Sequence, residues 1–254
     1  MATVLITGAS KGLGKEFAWE LAAGFHDLVL VARSADALAE LAEDIRGVAG
    51  VDVEVLVADL SNPDDLDSVA ARVADPDRPV SLLINNAGYG IGQDVIDSDW
   101  ETEKAVLDVL VTAPLRLSQA AAKAMAERGH GAILNVSSIA AHLANTTYAA
   151  HKRWVLDFTE ALATQLRGTN VTATAVLPGL VKTEFHSHPT LEHMRDEFPD
   201  ATWLTAEQVV SSALAAVRRG DVVVTPSAKY AIAGVIMRML PSAVTRRMNS
   251  MRSR

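Results

Sequence analysis

A short apolar run, Thr3 to Thr7, breaks directly into Gly8-Ala9-Ser10-Lys11-Gly12-Leu13-Gly14, and a helical pattern carrying Phe17 and Leu21 follows. A strand that turns through closely spaced glycines into a helix leaves few folds open. Gly8 lets the chain turn sharply, Gly12 lets the backbone approach a pyrophosphate, and Gly14 lets helix and strand pack closely. Amides at the helix start, with the positive end of the helix behind them, suit a bound phosphate. The spacing is G-x-x-x-G-x-G rather than G-x-G-x-x-G. A glycine-rich turn alone also occurs in plain loops. The strand before it and the helix after it favour the nucleotide-binding form.

The rest of the chain repeats that alternation. Apolar runs rich in Val, Ile and Leu predict strands over 3–7, 28–32, 53–57, 82–85, 132–136, 171–176 and 222–225. They are apolar on both faces, as strands covered on both sides must be. Asn62-Pro63 with Asp65 predicts a helix start, and the pairs Ser98/Glu101 and Thr205/Gln208 have capping-box spacing. Strand, helix, strand with short connections predicts an α/β fold: a Rossmann-type doubly wound parallel sheet of about seven strands with helices on both faces. At 254 residues this fits one catalytic domain, 1–225, which includes a substrate lid over about 184–204. A basic, amphipathic C-terminal helical tail follows over 226–254.

The chain has no cysteine, which removes thiol catalysis and thiolate metal sites and fits a reducing cytoplasm. Met1 leads straight into Val4-Leu5-Ile6 without a basic segment or cleavage site, so no signal peptide is expected. No uninterrupted apolar run approaches the ~20 residues of a membrane-spanning helix. The net charge is −8, yet the segment from Val222 to Arg254 carries six basic residues and no acidic one. The body is therefore strongly acidic, which argues against general nucleic-acid binding.

The second strand runs Val29-Leu30-Val31-Ala32 into Arg33. A carboxylate here would hold the ribose 2′-hydroxyl of NAD, whereas an arginine suits the 2′-phosphate of NADP. Arg33, with Lys11 as a second cation, therefore predicts NADP(H), although two solvated surface charges would read the same way. Tyr148 and Lys152 lie four apart in a predicted helix over 148–166, on one face. A free phenol titrates near 10, and a nearby ammonium is expected to lower it towards the working range. The pair follows a strand ending Asn135-Val136-Ser137-Ser138, at the carboxyl edge where open α/β sheets bind ligands.

The glycine turn at 7–14, Asn85-Asn86-Ala87-Gly88, Ser138, Tyr148/Lys152 and Pro178-Gly179-x-x-x-Thr183 resemble, in order and context, the motifs of the short-chain dehydrogenases/reductases. The resemblance runs from about Ala2 to Phe185, with the strand near 222–225 also matching. It implies that Gly8, Ser10, Gly12, Leu13 and Gly14 hold the pyrophosphate and adenosine ribose, and Arg33 the 2′-phosphate. Asp59 and Leu60 would border the adenine, and Asn85, Ala87 and Gly88 the wall beside adenosine and ribose. Pro178, Gly179, Val181 and Thr183 would seat the nicotinamide carboxamide. Ser138 would bond the substrate oxygen, Tyr148 would pass the proton, and Lys152 would bind ribose and tune Tyr148. The implied reaction is hydride transfer between NADP(H) and a carbonyl or secondary alcohol. Family members usually assemble as homodimers or homotetramers, and an apolar face at Val106, Val109, Leu110, Ala113 and Leu117 suits either an interface or a core.

Three departures stand out. Leu110 occupies a position where many members carry asparagine, whose main-chain carbonyl helps hold a water linking the lysine to solvent. A binding-only sensor or scaffold is the alternative this opens. Ser138 and Tyr148 are ten apart, shorter than the common family spacing, so the intervening loop must be tight. His151 precedes Lys152, either as a proton relay or as a packed helix residue. His186 and His188 lack the further ligands that a metal site needs, so no metal is expected. The tail combines Tyr230, Ile232, Val235, Ile236, Met237, Met239 and Leu240 with basic residues, broken by Pro241. It could pack on the body, on a partner subunit or on an anionic membrane surface.

Overall fold

The computed structural model describes residues 2–92, 94–143, 145–183 and 198–239. Residues 184–197, with His186, His188 and most of the expected lid, and 240–254, with Pro241 and the arginine-rich end, lie outside them. Seven strands form one sheet: β1 Thr3–Thr7, β2 Asp27–Ala32, β3 Val53–Val57, β4 Val80–Asn85, β5 Gly131–Val136, β6 Val171–Val176 and β7 Val223–Val224. The order is β3-β2-β1-β4-β5-β6-β7, and every pairing is parallel.

Period-two alternation of apolar side chains fills both faces. Val4 and Ile6 of β1 pack in one layer with Phe17, Leu21, Leu41 and Val210. Those residues come from α1 Gly12–Ala23, α2 Ala35–Ala49 and α7 Ala206–Arg219. Leu5 turns to the other face, beside Leu66, Val69, Leu117 and Leu162. These belong to α3 Pro63–Ala74, α5 Ala113–Arg128 and α6 Thr147–Gln165. The chain leaves β1 towards β2 and later returns to its other side at β4. The helices that follow the two strands therefore lie on opposite faces and open a crevice at the carboxyl edge.

Local signals explain most helix starts. The Asn62 side chain accepts from the amides of Asp64 and Asp65, with Pro63 at the first helical position. Thr205 and Gln208 form the reciprocal capping box. The expected box at Ser98 is not formed. α4 Trp100–Leu107 is capped by Asp99, which accepts from the Thr102 amide at 2.9 Å and its hydroxyl at 2.6 Å. Ser98 donates instead to Glu103 at 2.7 Å. A carboxylate one residue closer to the helix satisfies the first-turn amide better than the serine can.

A π-helical turn, Asp108–Thr112, joins α4 to α5. The continuous run Trp100–Arg128 has the length and hydropathy of a membrane span, but half of its apolar window is buried in the body. It serves as a core helix packed on α3 and the sheet. α8 Ala228–Met239 lies against a short 3-10 turn, Ile139–His142, directly after Ser138.

Candidate active site

The motifs lie at strand ends or in the segments that follow them, so the parallel sheet gathers them at its carboxyl edge. At the end of β1, Gly8 and Gly12 have φ of 65° and 55°, the left-handed region that glycine enters without strain. A Cβ on Gly14 would collide with the Gly8 carbonyl, and one on Gly8 would stand 2.8 Å from the Ala87 Cα. No side chain caps α1 and its first turn holds no acid, so its amides and dipole face the crevice uncompensated by a carboxylate.

Two residues that the motif reading passed over lock this turn. The Thr7 hydroxyl donates to the Ile84 carbonyl and accepts from the amides of Asn86 and Ala87 at 3.0 and 3.1 Å. Asn86 Nδ2 donates to the carbonyls of Thr7 and Gly8 at 2.9 and 3.2 Å. Asn85 turns its side chain away from the glycine turn. Its side chain points into the sheet interior and donates to Ser118 Oγ at 3.0 Å and Asn135 Oδ1 at 2.8 Å. Alternation along β4 sends neighbouring asparagines to opposite sides. Leu60 and Val181 also bury their side chains in the core.

Arg33 extends from the end of β2, exposed, with its guanidinium carbon 6.0 Å from the Tyr89 ring centroid. Asp59 accepts from the Ser61 amide and hydroxyl at 3.0 and 2.7 Å. Burial works to raise the Asp59 pKa, but those hydrogen bonds and the Arg33 charge together hold it below the usual carboxylate value. Burial pushes the Tyr89 phenol up, against the pull of Arg33.

At the end of β5, Ser138 begins the 3-10 turn and accepts from the Ala140 amide at 3.1 Å. Thr146 caps α6 through the Ala149 amide at 3.1 Å, and so the short connection still brings Tyr148 into hydrogen-bonding contact with Ser138. Lys152, 5% exposed, donates from Nζ to the Val136 carbonyl at 2.8 Å, and Ser137 Oγ donates to the Lys152 carbonyl at 2.7 Å. Its Nζ is 5.7 Å from the Tyr148 ring centroid.

The expected lowering of the Tyr148 pKa is not found. Burial pushes the phenol up to about 12, opposed by the Ser138 hydrogen bond. Burial likewise pushes Lys152 down to about 8. Lys152 is buried and its ammonium bonds the Val136 carbonyl, whereas Tyr148 is only partly buried; in both cases burial disfavours the charged form. His151 is also pushed down by burial, with Glu103 opposing and Lys152 reinforcing the shift.

Leu110 is 1% exposed on the π turn. A Cβ on Gly88 would stand 2.7 Å from Leu110 Cδ2 and 3.5 Å from Lys152 Nζ. Leucine therefore fills the space beside the lysine with hydrocarbon.

Beyond β6, the Pro178 carbonyl accepts from the Ile139 amide at 2.9 Å, tying the 178–183 loop to the serine turn. A cleft of about 660 Å³ opens nearby between Gly12 and Thr183, with Trp19 and Trp203 in its walls. Among the described residues no group of three or more His, Asp or Glu could hold a metal ion.

The family model described as short chain dehydrogenase matches residues 2–192. A short-chain dehydrogenase from Sphingobium yanoikuyae, solved in complex with NADPH, superposes with a TM-score of 0.84 at 32% identity, covering 96% of this chain and 98% of that one. The NADP-dependent 3-hydroxy acid dehydrogenase of Schizosaccharomyces pombe is 30% identical over 230 residues, 87% of this chain and 89% of that enzyme. The galactitol 2-dehydrogenase (L-tagatose-forming) of Cereibacter sphaeroides is 34% identical over 188 residues, 72% of each chain.

Proposed function

The chain belongs to the short-chain dehydrogenase/reductase family, and from that premise we propose that it is an NADP(H)-dependent oxidoreductase acting on a carbonyl or secondary alcohol. The observation that carries the reading is the contact of Ser138 with Tyr148, with Lys152 Nζ 5.7 Å from the same ring, at the sheet edge that also bears the glycine turn.

The residues present fit NADP(H). The Gly8–Gly14 contact leaves no room for side chains under the turn, and the start of α1 carries no opposing acid. Arg33 stands at the end of β2 where NAD selectivity would call for a carboxylate. When bound, the nicotinamide supplies or accepts the hydride. In the reducing direction Tyr148, protonated at neutral pH because burial holds it near its raised value of about 12, gives its proton to the substrate oxygen. The Ser138 hydroxyl donates to the same oxygen and stabilises its developing charge. Lys152 presents a second donor and a positive charge to the ribose and to the phenolate that remains. Gly8, Ser10, Lys11, Gly12, Leu13 and Gly14 hold the pyrophosphate, Arg33 the 2′-phosphate, and Asp59 with the Leu60 main chain borders the adenine. Ala87 and Gly88 line the ribose wall, and Pro178, Gly179, Val181 and Thr183 seat the carboxamide.

The relatives act on substrates as different as a sugar alcohol and a hydroxy acid by their names, so the carbonyl class rests on Ser138, Tyr148 and Lys152. Exposed Trp100, Leu107 and Leu115 on α4 and α5 support a homo-oligomer formed through these helices. Exposed Ile232, Val235 and Ile236 on α8, followed by a basic tail without acids, support peripheral contact with an anionic bilayer. The absence of cysteine fits a cytoplasmic site of action.

The reading is tested by NADPH and NADH oxidation over a panel of aldehydes, ketones and hydrophobic ketones. Carbonyl-dependent oxidation that favours NADPH supports it. Tight NADPH binding without turnover on any carbonyl would favour the binding-only alternative, for which the hydrocarbon of Leu110 beside Lys152 is the supporting observation.

A further inference from the structure

The walls of the reacting centre are held by a residue outside the matched family span of 2–192. The Tyr230 hydroxyl, on α8, donates to the Thr202 carbonyl at 2.8 Å and accepts from the Leu180 amide at 3.2 Å. Its ring lies against Gly179 so closely that a Cβ there would collide with three ring carbons. Residues 178–183 and 199–204 already pair through the Val181–Leu204 bridge. Lys182 and Leu204 exchange main-chain bonds with Leu204 and Leu180 at 2.9 and 2.8 Å. Lys182 also pairs with Asp200 at 3.1 Å. One turn further along α8, a Cβ on Gly234 would stand 3.1 Å from Ile139 Cδ1 and 3.3 Å from His142 Cδ2. The same short helix thus touches both the loop after β6 and the turn after Ser138.

We propose that Tyr230 is a positioning residue that acts through Gly179 and Leu180 to hold the 178–183 loop in register with Ser138 and Tyr148. Three features set it apart from general packing. Its hydroxyl meets main-chain groups on both stems rather than one. Its ring occupies the space that only a glycine at 179 leaves open, making the two residues a complementary pair. The loop it braces is itself bonded to the serine turn through the Pro178 carbonyl. Movement of the loop therefore displaces the nicotinamide end of the site relative to the proton donor, and a displacement of about 1 Å is costly in turnover.

The inference rests on the proposed NADP(H) function, and the test separates the two. NADPH binding is first measured on the wild-type protein by fluorescence titration. Absent binding there overturns the functional reading itself. With wild-type binding established, Tyr230→Phe keeps the ring and removes both hydrogen bonds, and it should weaken NADPH binding by about threefold to tenfold. Hydride transfer from 4-deuterated NADPH should also become more rate-limiting, so the isotope effect on kcat rises. Circular dichroism and Tm should show a folded protein.

Gly179→Ala alone should weaken binding more than Gly179→Ala in a Tyr230→Ala background, because the colliding ring is then gone. Unchanged NADPH affinity and isotope effect in Tyr230→Phe overturn the proposal and leave the functional reading standing. Strictly additive effects of the 179 and 230 substitutions also overturn it.

Discussion

Lys152 holds its ammonium 5.7 Å from the centroid of the Tyr148 ring while donating a 2.8 Å hydrogen bond to the Val136 carbonyl. Burial moves their titrations in opposite directions, to about 12 for the phenol and about 8 for the amine. Burial favours the neutral phenol and the neutral amine alike.

A pH profile follows from those directions. The proposed mechanism of carbonyl reduction requires Tyr148 protonated and Lys152 charged. The phenol keeps its proton well beyond neutrality, so it does not limit the profile. Lys152 loses its charge as pH rises through about 8. The free-enzyme parameter kcat/KM for reduction should therefore be level below that value and fall above it. A profile that stays level to pH 10 would contradict the account.

Replacing Lys152 with methionine should stabilise the fold while abolishing efficient turnover. The lysine pKa is lower folded than unfolded, so charging it in the fold costs stability at every pH below about 8. That cost fades as pH rises towards the unfolded value. Removing the ammonium relieves the cost but leaves the Val136 carbonyl without its donor, for a net gain of about 1–2 kcal/mol. Calorimetry at pH 7 should show Tm rising by a few degrees, and the gain over wild type should shrink at pH 10. A lower Tm at pH 7 would refute the cost assigned to charging this residue in the fold.

Arg33→Ala should separate the two cofactors. In the proposed reading its exposed guanidinium at the end of β2 pairs with the 2′-phosphate, and losing a charge-assisted bond of that kind costs about 2 kcal/mol, or roughly thirtyfold in NADPH affinity. Affinity for NADH, which lacks the phosphate, should change little. Equal losses for both would show that Arg33 supports the site without reading the phosphate.

Asn86→Ala should loosen the glycine turn. It removes the two donors that hold the Thr7 and Gly8 carbonyls, at a stability cost of about 1–3 kcal/mol. NADPH binding should weaken by about tenfold, with less effect on Ser138 and Tyr148 as judged by pH profile. Asn85→Ala should cost comparable stability, through Ser118 and Asn135, with little loss of NADPH affinity beyond it. The reverse pattern would return Asn85 to the cofactor wall.

The strands were legible because buried parallel strands are apolar on both faces, and the predicted β1, β3 and β6 coincide with those observed. β4 begins earlier than predicted, at Val80, since a buried valine directly after a proline carries no strand signal of its own. At the helix capped by Asp99, two adjacent residues could each cap, and only geometry chooses between Ser98 and Asp99. The motif Asn85-Asn86 marks the site without saying which amide faces the turn. In the sequence Tyr230 looks like part of an apolar tail, because its partners at 180 and 202 are distant and no local spacing announces them. The raised direction of the Tyr148 pKa is hidden from the sequence for a similar reason. The sequence shows a lysine four residues away, but the loss of water that outweighs it depends on the packed fold.

The most direct test of the central claim is NADPH-dependent carbonyl reduction by Tyr148→Phe beside the wild type, with NADPH binding measured on both. The account expects turnover to fall by about 10²–10⁴-fold while the dissociation constant for NADPH stays within a fewfold of wild type. A phenylalanine variant that turns over at the wild-type rate would contradict the assignment of Tyr148 as the proton donor.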